Sequence, residues 1–201
     1  FVNFDLEISV IVSGNGKDVT VFPVQENIHR NNILSKTIVP ARISESLADK
    51  AKSMAVRIAE QLKLSGTLCV EMFATADDII VNEIAPRPHN SGHYSIEAAY
   101  TNQFEQHLRA ILGLPLGSTQ SKVAGVMVNL VGAEGEQGEV VYENIAQILA
   151  MEGVTPHIYG KKETRPFRKM GHVTIVNPEV AQARAIAEQV KRTIRVIALK
   201  K

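Results

Sequence analysis

Short runs of β-branched residues, each closed by a turn signal, constrain the fold of this 201-residue chain more than any other feature. Residues 8–12 and 19–24 flank the stretch Ser-Gly-Asn-Gly-Lys-Asp, which predicts a β hairpin. Residues 67–73 and 79–84 flank a polar stretch over 74–78 and predict a second hairpin. The chain is therefore predicted to be built on a sheet of paired strands.

Helical periodicity begins at Ser44. Apolar residues recur behind it at steps of three and four, and Glu45 lies in the first turn, so an amphipathic helix is predicted from 44 to about 65–66. Further helices are predicted over 102–112, around 142–151 and from Asn177-Pro178 onward, with Pro at the first helical position. Strands are predicted over 123–131, 154–159 and 172–176. A boundary near 116–121 divides the chain into predicted parts 1–117 and 118–201.

Composition excludes several classes of protein. Twenty-two Lys and Arg against 21 Asp and Glu leave a net charge of +1, which is unlike a disordered tail or a strongly basic nucleic-acid binder. No apolar run approaches the roughly 20 residues that span a bilayer. The single cysteine, Cys69, is predicted to be a buried apolar filler in a cytoplasmic protein. Because the chain starts at Phe1 without a Met, we expect a fragment of a longer protein.

The second predicted hairpin carries two glutamates. Glu71 and Glu83 are equidistant from Asp77, so a symmetric hairpin places them opposite each other on one face. Like charges in that position destabilise a sheet unless a cation lies between them, and Mg²⁺ bridged to phosphates prefers such oxygen ligands. The alternative is that both side chains point into solvent.

The segment that follows, residues 85–93, is rich in directional hydrogen-bond donors. Arg87 suits carboxylate, bicarbonate or phosphate oxygens, and His89 is suited to donate or relay a proton. A solvated connector with incidental histidines is the alternative. A zinc site is disfavoured: His89 and His93 have helical spacing, but Pro86, Pro88 and Gly92 argue against a helix there, and no thiolate is near.

A basic stretch over residues 161–169 carries five positive charges and one negative charge. Clustered cations in a loop suit a phosphate group, although a solvated charge run is equally compatible. A nucleic-acid surface is disfavoured because only Tyr159 and Phe167 are near enough to stack on bases.

These motifs together resemble a known family. Residues 82–93, read Asn-Glu-Ile-Ala-Pro-Arg-Pro-His-Asn-Ser-Gly-His, with 94–98, 103–110 and the Arg-Lys-Met-Gly-His stretch at 168–172, resemble the N5-carboxyaminoimidazole ribonucleotide synthetases. These are ATP-grasp enzymes of bacterial and fungal purine biosynthesis. The resemblance implies an α/β (α+β) fold, the C-terminal lobe of an ATP-grasp domain with a mixed, largely antiparallel sheet, plus a small C-terminal α/β domain that completes the acceptor site.

The resemblance also implies a reaction. ATP and bicarbonate give carboxyphosphate, whose carboxyl group passes to the exocyclic amine of aminoimidazole ribonucleotide. The cofactor is Mg²⁺, and the family implies a homodimer that binds neither nucleic acid nor membrane.

Site residues are carried over from the family motifs in three groups. The implied Mg²⁺ ligands are Glu71 and Glu83, and the implied ATP-binding residues are Glu7, His29, Asn82 and Glu83. The implied catalytic residues, which face bicarbonate or carboxyphosphate and the imidazole nucleotide, are Arg87, His89 and Asn90. The implied ligands of the ribonucleotide phosphate are Lys161, Arg165, Arg168 and Lys169.

Two positions depart from the family pattern. Phe167 stands where the family usually has Gly in the basic loop, and Ala99 stands where a Cys is expected. The first ATP-grasp lobe is expected to lie before Phe1, so this chain alone is expected to be inactive. Two alternatives remain: another ATP-grasp carboxylase or ligase, such as a biotin carboxylase-like enzyme, and a non-catalytic module that binds phosphorylated metabolites.

Overall fold

The computed structural model describes residues 2–200, which form twelve strands and five α-helices. The strands are β1 Leu6–Asn15, β2 Val19–Val21, β3 Gln25–Arg30, β4 Ile33–Val39, β5 Ser65–Ala74, β6 Ile79–Ala85, β7 Ala124–Val131, β8 Gly138–Glu143, β9 Val154–Ile158, β10 Glu163–Thr164, β11 Lys169–Asn177 and β12 Arg195–Ala198. The helices are α1 Glu45–Gln61, α2 Ser95–Ala98, α3 Gln103–Ile111, α4 Ile145–Leu149 and α5 Val180–Thr193, and residues Asn90–Gly92 form a 3₁₀ turn.

Nine of these strands form one sheet. Its order is β6-β5-β1-β3-β4-β7-β11-β9, with β2 also paired to β1, and every ladder in it is antiparallel. A smaller sheet has the order β10-β8-β12. The predicted fold class, α/β with a largely antiparallel sheet, is confirmed. The large sheet crosses the predicted boundary at 117/118 because β4 pairs with β7, and the division into two domains stays a prediction.

Helix α1 packs on the sheet through small residues. Ser44 caps it by accepting a hydrogen bond from the Leu47 backbone N–H, as its sequence predicts. Its buried residues are alanines, which let the helix lie close to strands β1 and β5. The helix ends at Gln61, earlier than predicted, because Lys63 takes a φ of 49° and β5 begins at Ser65.

The C-terminal part has its own core. Helix α5 buries Ala183, Ala187 and Val190 against β7 and β11. The helix predicted around 142–151 is shorter in the structure, where α4 covers Ile145–Leu149. The residues before it form strand β8, which pairs with β12. That pairing joins residues about fifty positions apart, so local periodicity did not reveal it. Pro178 precedes α5, which begins at Val180.

Strands β3 and β4 were not predicted. Strand β3 begins with three buried polar residues, Gln25, Glu26 and Asn27, which do not follow the apolar pattern of a strand. It pairs with both β1 and β4. Within residues 2–200, no helix has the length and apolar character needed to cross a membrane.

Candidate active site

Glu71 and Glu83 face each other across the β5–β6 ladder, as predicted. The predicted symmetry about Asp77 is wrong in detail: near the tip the register is Ala74 with Ile79 and Met72 with Val81. The register then shifts between Met72 and Glu71, so Asn82 is an extra residue on β6. This bulge brings the two glutamates into register, in the way that bulges redirect side chains beside active sites, and Glu83 is exposed whereas Glu71 is partly buried.

Two adjoining cavities of about 180 and 240 Å³ lie beside this pair, and we call them together the carboxylate cleft. Both are lined by His29, Asn32 and Glu71, so they lie side by side. The first is also lined by Glu7, Asn82 and apolar residues of β1 and β5. The second is also lined by Glu83, His89, Asn90, Lys169 and apolar residues of β4.

Glu7 and His29 form one end of the carboxylate cleft. They lie on the neighbouring strands β1 and β3, and the Nδ1 atom of His29 is hydrogen-bonded to the Glu7 carboxylate. Both side chains are about 30% exposed, at 30% for Glu7 and 28% for His29. A polar pair open to a cavity suits hydrogen bonding to hydroxyl groups.

Glu71 is held at the centre of the cleft by His89. The Nε2 atom of His89 lies 2.9 Å from Oε1 of Glu71, and the two side chains are only 13% and 17% exposed. The hydrogen bond from His89 lowers the pKa of Glu71 below its usual value, against the opposing effect of burial. Burial lowers the pKa of the nearby Lys169 ammonium, and the charge of Glu71 opposes that shift. Glu71 is therefore an ionised carboxylate facing a half-buried lysine.

The loop over residues 85–93 is partly buried and firmly held. The Gln103 side chain accepts a hydrogen bond from the His89 backbone N–H at 2.9 Å and donates to the His89 carbonyl at 2.8 Å. A Cβ on Gly92 would lie 2.4 Å from Gln103 Oε1, so a side chain there would push Gln103 away from its present position. The side-chain amides of Asn90 and Asn129 bond each other at 2.7 and 3.0 Å. The alternative of a solvated connector therefore fails for His89 and Asn90, whereas Arg87 is exposed.

The basic loop contributes one of its predicted residues to the cleft, Lys169. The Lys161 ammonium donates to the Lys169 carbonyl, and Arg168 donates from Nη1 to the Glu163 carbonyl at 2.8 Å. Arg165 is exposed on the same loop. The assignment of all four cations to a phosphate group stays a prediction.

Four further residues shape the cleft and were not predicted. Asn32 follows Asn31 in a turn where both have positive φ, and a doubled Asn is a recognisable turn signal. Asn129 is a polar residue inside a buried strand, which is also a visible anomaly. Gln103 and Ser91 lie within the motifs that carry the family resemblance, but they were given no role because their importance lies in contacts to His89.

The donor set of the cleft fits Mg²⁺. Carboxylate oxygens on two facing residues are the hard ligands that this ion prefers. Lys169 lines the same cavity and places a positive charge there that suits an anion. Among residues 2–200, one group of three His, Cys, Asp or Glu side chains has its ligand atoms within 4.8 Å of one another: Cys69, Glu71 and His89. Burial raises the pKa of the Cys69 thiol, so it is a neutral group and a poor ligand for a hard cation.

Comparison with protein families agrees with this geometry. Residues 1–104, more than half of the chain, match the model of the ATP-grasp domain. The chain belongs to the ATP-grasp family. Residues 125–186 match the phosphoribosylaminoimidazole carboxylase C-terminal domain, so the ATP-grasp match and this second match cover most of the chain.

Individual relatives of this ATP-grasp chain are N5-carboxyaminoimidazole ribonucleotide synthases. The protein of that name from Bacillus subtilis is 49% identical over 179 residues, which are 88% of this chain and 45% of the relative. The crystal structure of the synthetase from Thermotoga maritima has a TM-score of 0.93 at 46% identity and covers 99% of this chain and 54% of that one. The predicted family resemblance is confirmed.

A third relative is the N5-carboxyaminoimidazole synthase from Aspergillus clavatus, solved in complex with ADP and 5-aminoimidazole ribonucleotide. It has a TM-score of 0.89 at 31% identity and covers 96% of this ATP-grasp chain and 52% of that one. The chain thus spans about half the length of the relatives it matches.

Proposed function

We propose that the protein containing this chain is an N5-carboxyaminoimidazole ribonucleotide synthetase, an ATP-dependent carbon–nitrogen ligase of purine biosynthesis. The names of its relatives support this proposal, and so does the structure of the Aspergillus clavatus relative in complex with ADP and the imidazole nucleotide. The observation that carries it is the pair of glutamates facing across the β5–β6 ladder beside Lys169.

The ATP end of the carboxylate cleft is assigned to Glu7, His29, Asn82 and the two facing glutamates. Glu71 and Glu83 hold Mg²⁺, which when bound neutralises part of the phosphate charge. The Glu7–His29 pair accepts hydrogen bonds from the ribose hydroxyls of the nucleotide or donates hydrogen bonds to them. These residues position ATP rather than react with it, because phosphoryl transfer depends mainly on alignment and charge stabilisation.

The acceptor end is assigned to Arg87, His89, Asn90 and the basic loop. Bicarbonate attacks the γ-phosphorus of ATP to give carboxyphosphate and ADP; the exocyclic amine of aminoimidazole ribonucleotide then attacks the carboxyl carbon and releases phosphate. Lys169 lies half-buried near Glu71 and supplies a positive charge for the bicarbonate or phosphate oxygens. Lys161, Arg165 and Arg168 lie on the same loop and bind the ribonucleotide phosphate.

We also infer a homodimer. Helix α3 exposes Phe104, Leu108 and Ile111, and its C-cap residue Leu112 is exposed too, at 40 to 67%; their spacing places them along one helix face. Exposed apolar stripes of this kind mark contact surfaces between proteins. A cytoplasmic location is inferred too, since Cys69 is a free, buried thiol.

The test is ADP release by the full-length protein with ATP and Mg²⁺, adding bicarbonate and aminoimidazole ribonucleotide separately and together. We expect ADP release to require the imidazole nucleotide. Glu83→Gln is expected to lower turnover by about 100-fold or more, since loss of a charged ligand costs roughly 3 kcal/mol of transition-state stabilisation. Asp77→Asn, at the exposed tip of the same hairpin, is the matched control and is expected to retain full activity.

Two results would contradict the proposal at different levels. Turnover of Glu83→Gln within about threefold of the parent would remove the metal assignment. Release of ADP with a different acceptor, such as biotin, would keep the ATP-grasp chemistry and reject the imidazole nucleotide as substrate. Nucleotide binding that needs no Mg²⁺, with no ADP release, would indicate a non-catalytic binding module.

A further inference from the structure

A row of buried polar side chains runs through the sheet behind His89. Ser9 on β1, Asn27 on β3, Thr37 on β4 and Ser91 in the 3₁₀ turn are each 5% exposed or less. Thr37 Oγ1 donates to Asn27 Oδ1 at 3.0 Å, and Asn27 Nδ2 donates to Ser9 Oγ at 2.9 Å. Ser9 Oγ has two acceptors within reach, Ser91 Oγ at 2.8 Å and Gln25 Oε1 at 3.2 Å, and the shorter contact is the one to Ser91. The sheet interior therefore contains a continuous line of hydrogen bonds that crosses three strands.

The line ends on the imidazole of His89. Ser91 Oγ lies 2.9 Å from His89 Nδ1, and the Ser91 backbone N–H points at the same nitrogen from 3.3 Å. A backbone N–H only donates, so Nδ1 must be the acceptor. Because Ser91 Oγ already accepts from Ser9, its own proton is free to join that interaction.

The protonation pattern of His89 follows from these contacts. When Nδ1 accepts, the neutral ring carries its proton on Nε2. That proton points at Oε1 of Glu71, 2.9 Å away. Five successive hydrogen bonds therefore run in one direction, from Thr37 through the sheet to Glu71. His89 uses both ring nitrogens within the protein, so it orients Glu71 as well as lining the acceptor end of the cleft.

Glu71 needs such support because of its neighbour. Glu83 lies directly opposite on the ladder, and two like charges there repel each other. A donor on Oε1 holds the Glu71 carboxylate against that repulsion and leaves its second oxygen free to face the cleft. Outer contacts of this kind commonly orient metal-binding side chains.

We propose that Ser91 and Ser9 are positioning residues, whose hydroxyls hold the ring of His89 and thereby orient Glu71 as a ligand. The catalytic consequence rests on the proposed function, whereas the placement of the His89 ring does not. The hydrogen-bond chain does more than give each buried hydroxyl a partner, because it reaches a group of the cleft. Ser13 on the same strand, for comparison, forms an isolated pair with Thr67 at 2.8 Å and reaches no group of the cleft.

The experiment compares Ser91→Ala with Ser13→Ala in the full-length protein. The first readout is the ¹⁵N NMR signature of the His89 imidazole at neutral pH without substrates, assigned by its loss in His89→Gln. We expect the parent and Ser13→Ala to share one set of His89 ring signals, with Nδ1 unprotonated. Ser91→Ala keeps the backbone N–H but loses the hydroxyl at Nδ1, so its ring signals are expected to shift and broaden as the ring gains freedom. The second readout is the Mg²⁺ dependence of ADP release. Ser91→Ala is expected to weaken the apparent Mg²⁺ affinity by about 10- to 100-fold, while Ser13→Ala leaves it unchanged.

Each outcome decides a separate point. Unchanged His89 ring signals in Ser91→Ala would overturn the proposal, and so would altered ring signals with unchanged Mg²⁺ dependence in an active enzyme. If the parent protein shows no ligase activity with the imidazole nucleotide, the proposed function fails and the NMR measurement still decides the role of Ser91. Should Ser91→Ala fail to fold, Ser9→Ala, one hydrogen bond further away, repeats the test with the same expected direction.

Discussion

Phe167 takes a backbone conformation that its side chain disfavours. Its φ is 63°, in the left-handed region where glycine is usual, and the resemblance places a glycine at this position of the basic loop. The Phe167 N–H donates to the Gly132 carbonyl at 2.9 Å, and the Gly132 N–H donates to the Arg168 carbonyl at 2.9 Å. These backbone bonds fix the loop, so the conformation persists although the residue has changed. The departure from the family pattern therefore alters the side chain and keeps the loop geometry.

We expect Phe167→Gly to raise the free energy of unfolding by up to about 1 kcal/mol. Relief of the left-handed strain exceeds the greater chain entropy that glycine gives the unfolded state. Urea denaturation measures the change. Arg165→Gly is the control, because Arg165 has no left-handed φ to relieve, and it is expected to be destabilising. A loss of stability in Phe167→Gly would mean that contacts of the ring outweigh the strain.

Helix α3 reverses the usual orientation of an amphipathic helix. Its buried residues are Gln103, Gln106 and Ala110, whereas its large apolar residues face outward. The buried amides have specific partners: Gln106 bonds the Gly117 backbone N–H and C=O at 2.9 and 2.8 Å, and Gln103 holds the loop of His89. The polar face therefore anchors two loops, and the apolar face is left for another surface.

The exposed apolar face of α3 can be tested as the interface of the proposed homodimer. Leu108→Glu is expected to convert the full-length protein from dimer to monomer, because it places a charge at the centre of an apolar interface. Sedimentation velocity or light scattering measures the mass. Leu149→Glu on α4, which is 60% exposed in the C-terminal part, is the control and is expected to stay dimeric. A Leu108→Glu dimer would exclude this face as the interface.

Across the whole molecule, a cluster of three histidines joins the loop of the candidate site to the C-terminal strands. His157 on β9 and His172 on β11 are paired across the ladder and stack at 4.4 Å, and His93 lies 4.7 Å from His172. Glu97 bonds His157 Nε2 at 2.7 Å, and the Tyr159 hydroxyl lies 3.0 Å from His172 Nδ1. Burial lowers the pKa of His93 to about 4 and that of His172 to about 3. Both rings are therefore neutral in the folded protein at neutral pH.

This cluster predicts a loss of stability in mild acid. Below the unfolded pKa of about 6.5, the unfolded chain binds protons that the folded His93 and His172 do not, so stability falls as pH falls toward about 4. At pH 5 we expect a loss of about 1–2 kcal/mol per histidine relative to pH 7, measured by urea denaturation. His172→Gln is expected to reduce the loss of unfolding free energy between pH 7 and pH 5, because it removes one of the two histidines that cause it. Equal stability at pH 5 and pH 7 would contradict this.

The candidate site was predictable to the extent that it lies in local motifs. The facing of Glu71 and Glu83 followed from spacing, although the structure reaches it through a bulge at Asn82. The donors at His89 and Asn90 followed from their loop, whereas the roles of Gln103 and Asn129 did not, because these residues act through distant partners. Of the predicted cations, only Lys169 lines the carboxylate cleft, since charge density alone does not say which side chain faces inward.

The sequence by itself determined the hairpins, helix α1, the largely antiparallel fold and the family, because these depend on period, turn residues and contiguous motifs. Only the tertiary structure decided the strands β3, β4 and β12, the outward apolar face of α3 and the hydrogen bonds from Thr37 to Glu71. Each of these depends on pairing or burial between residues far apart in the chain. Such contacts are selected by the packing of the whole molecule, and local patterns carry no signal for them.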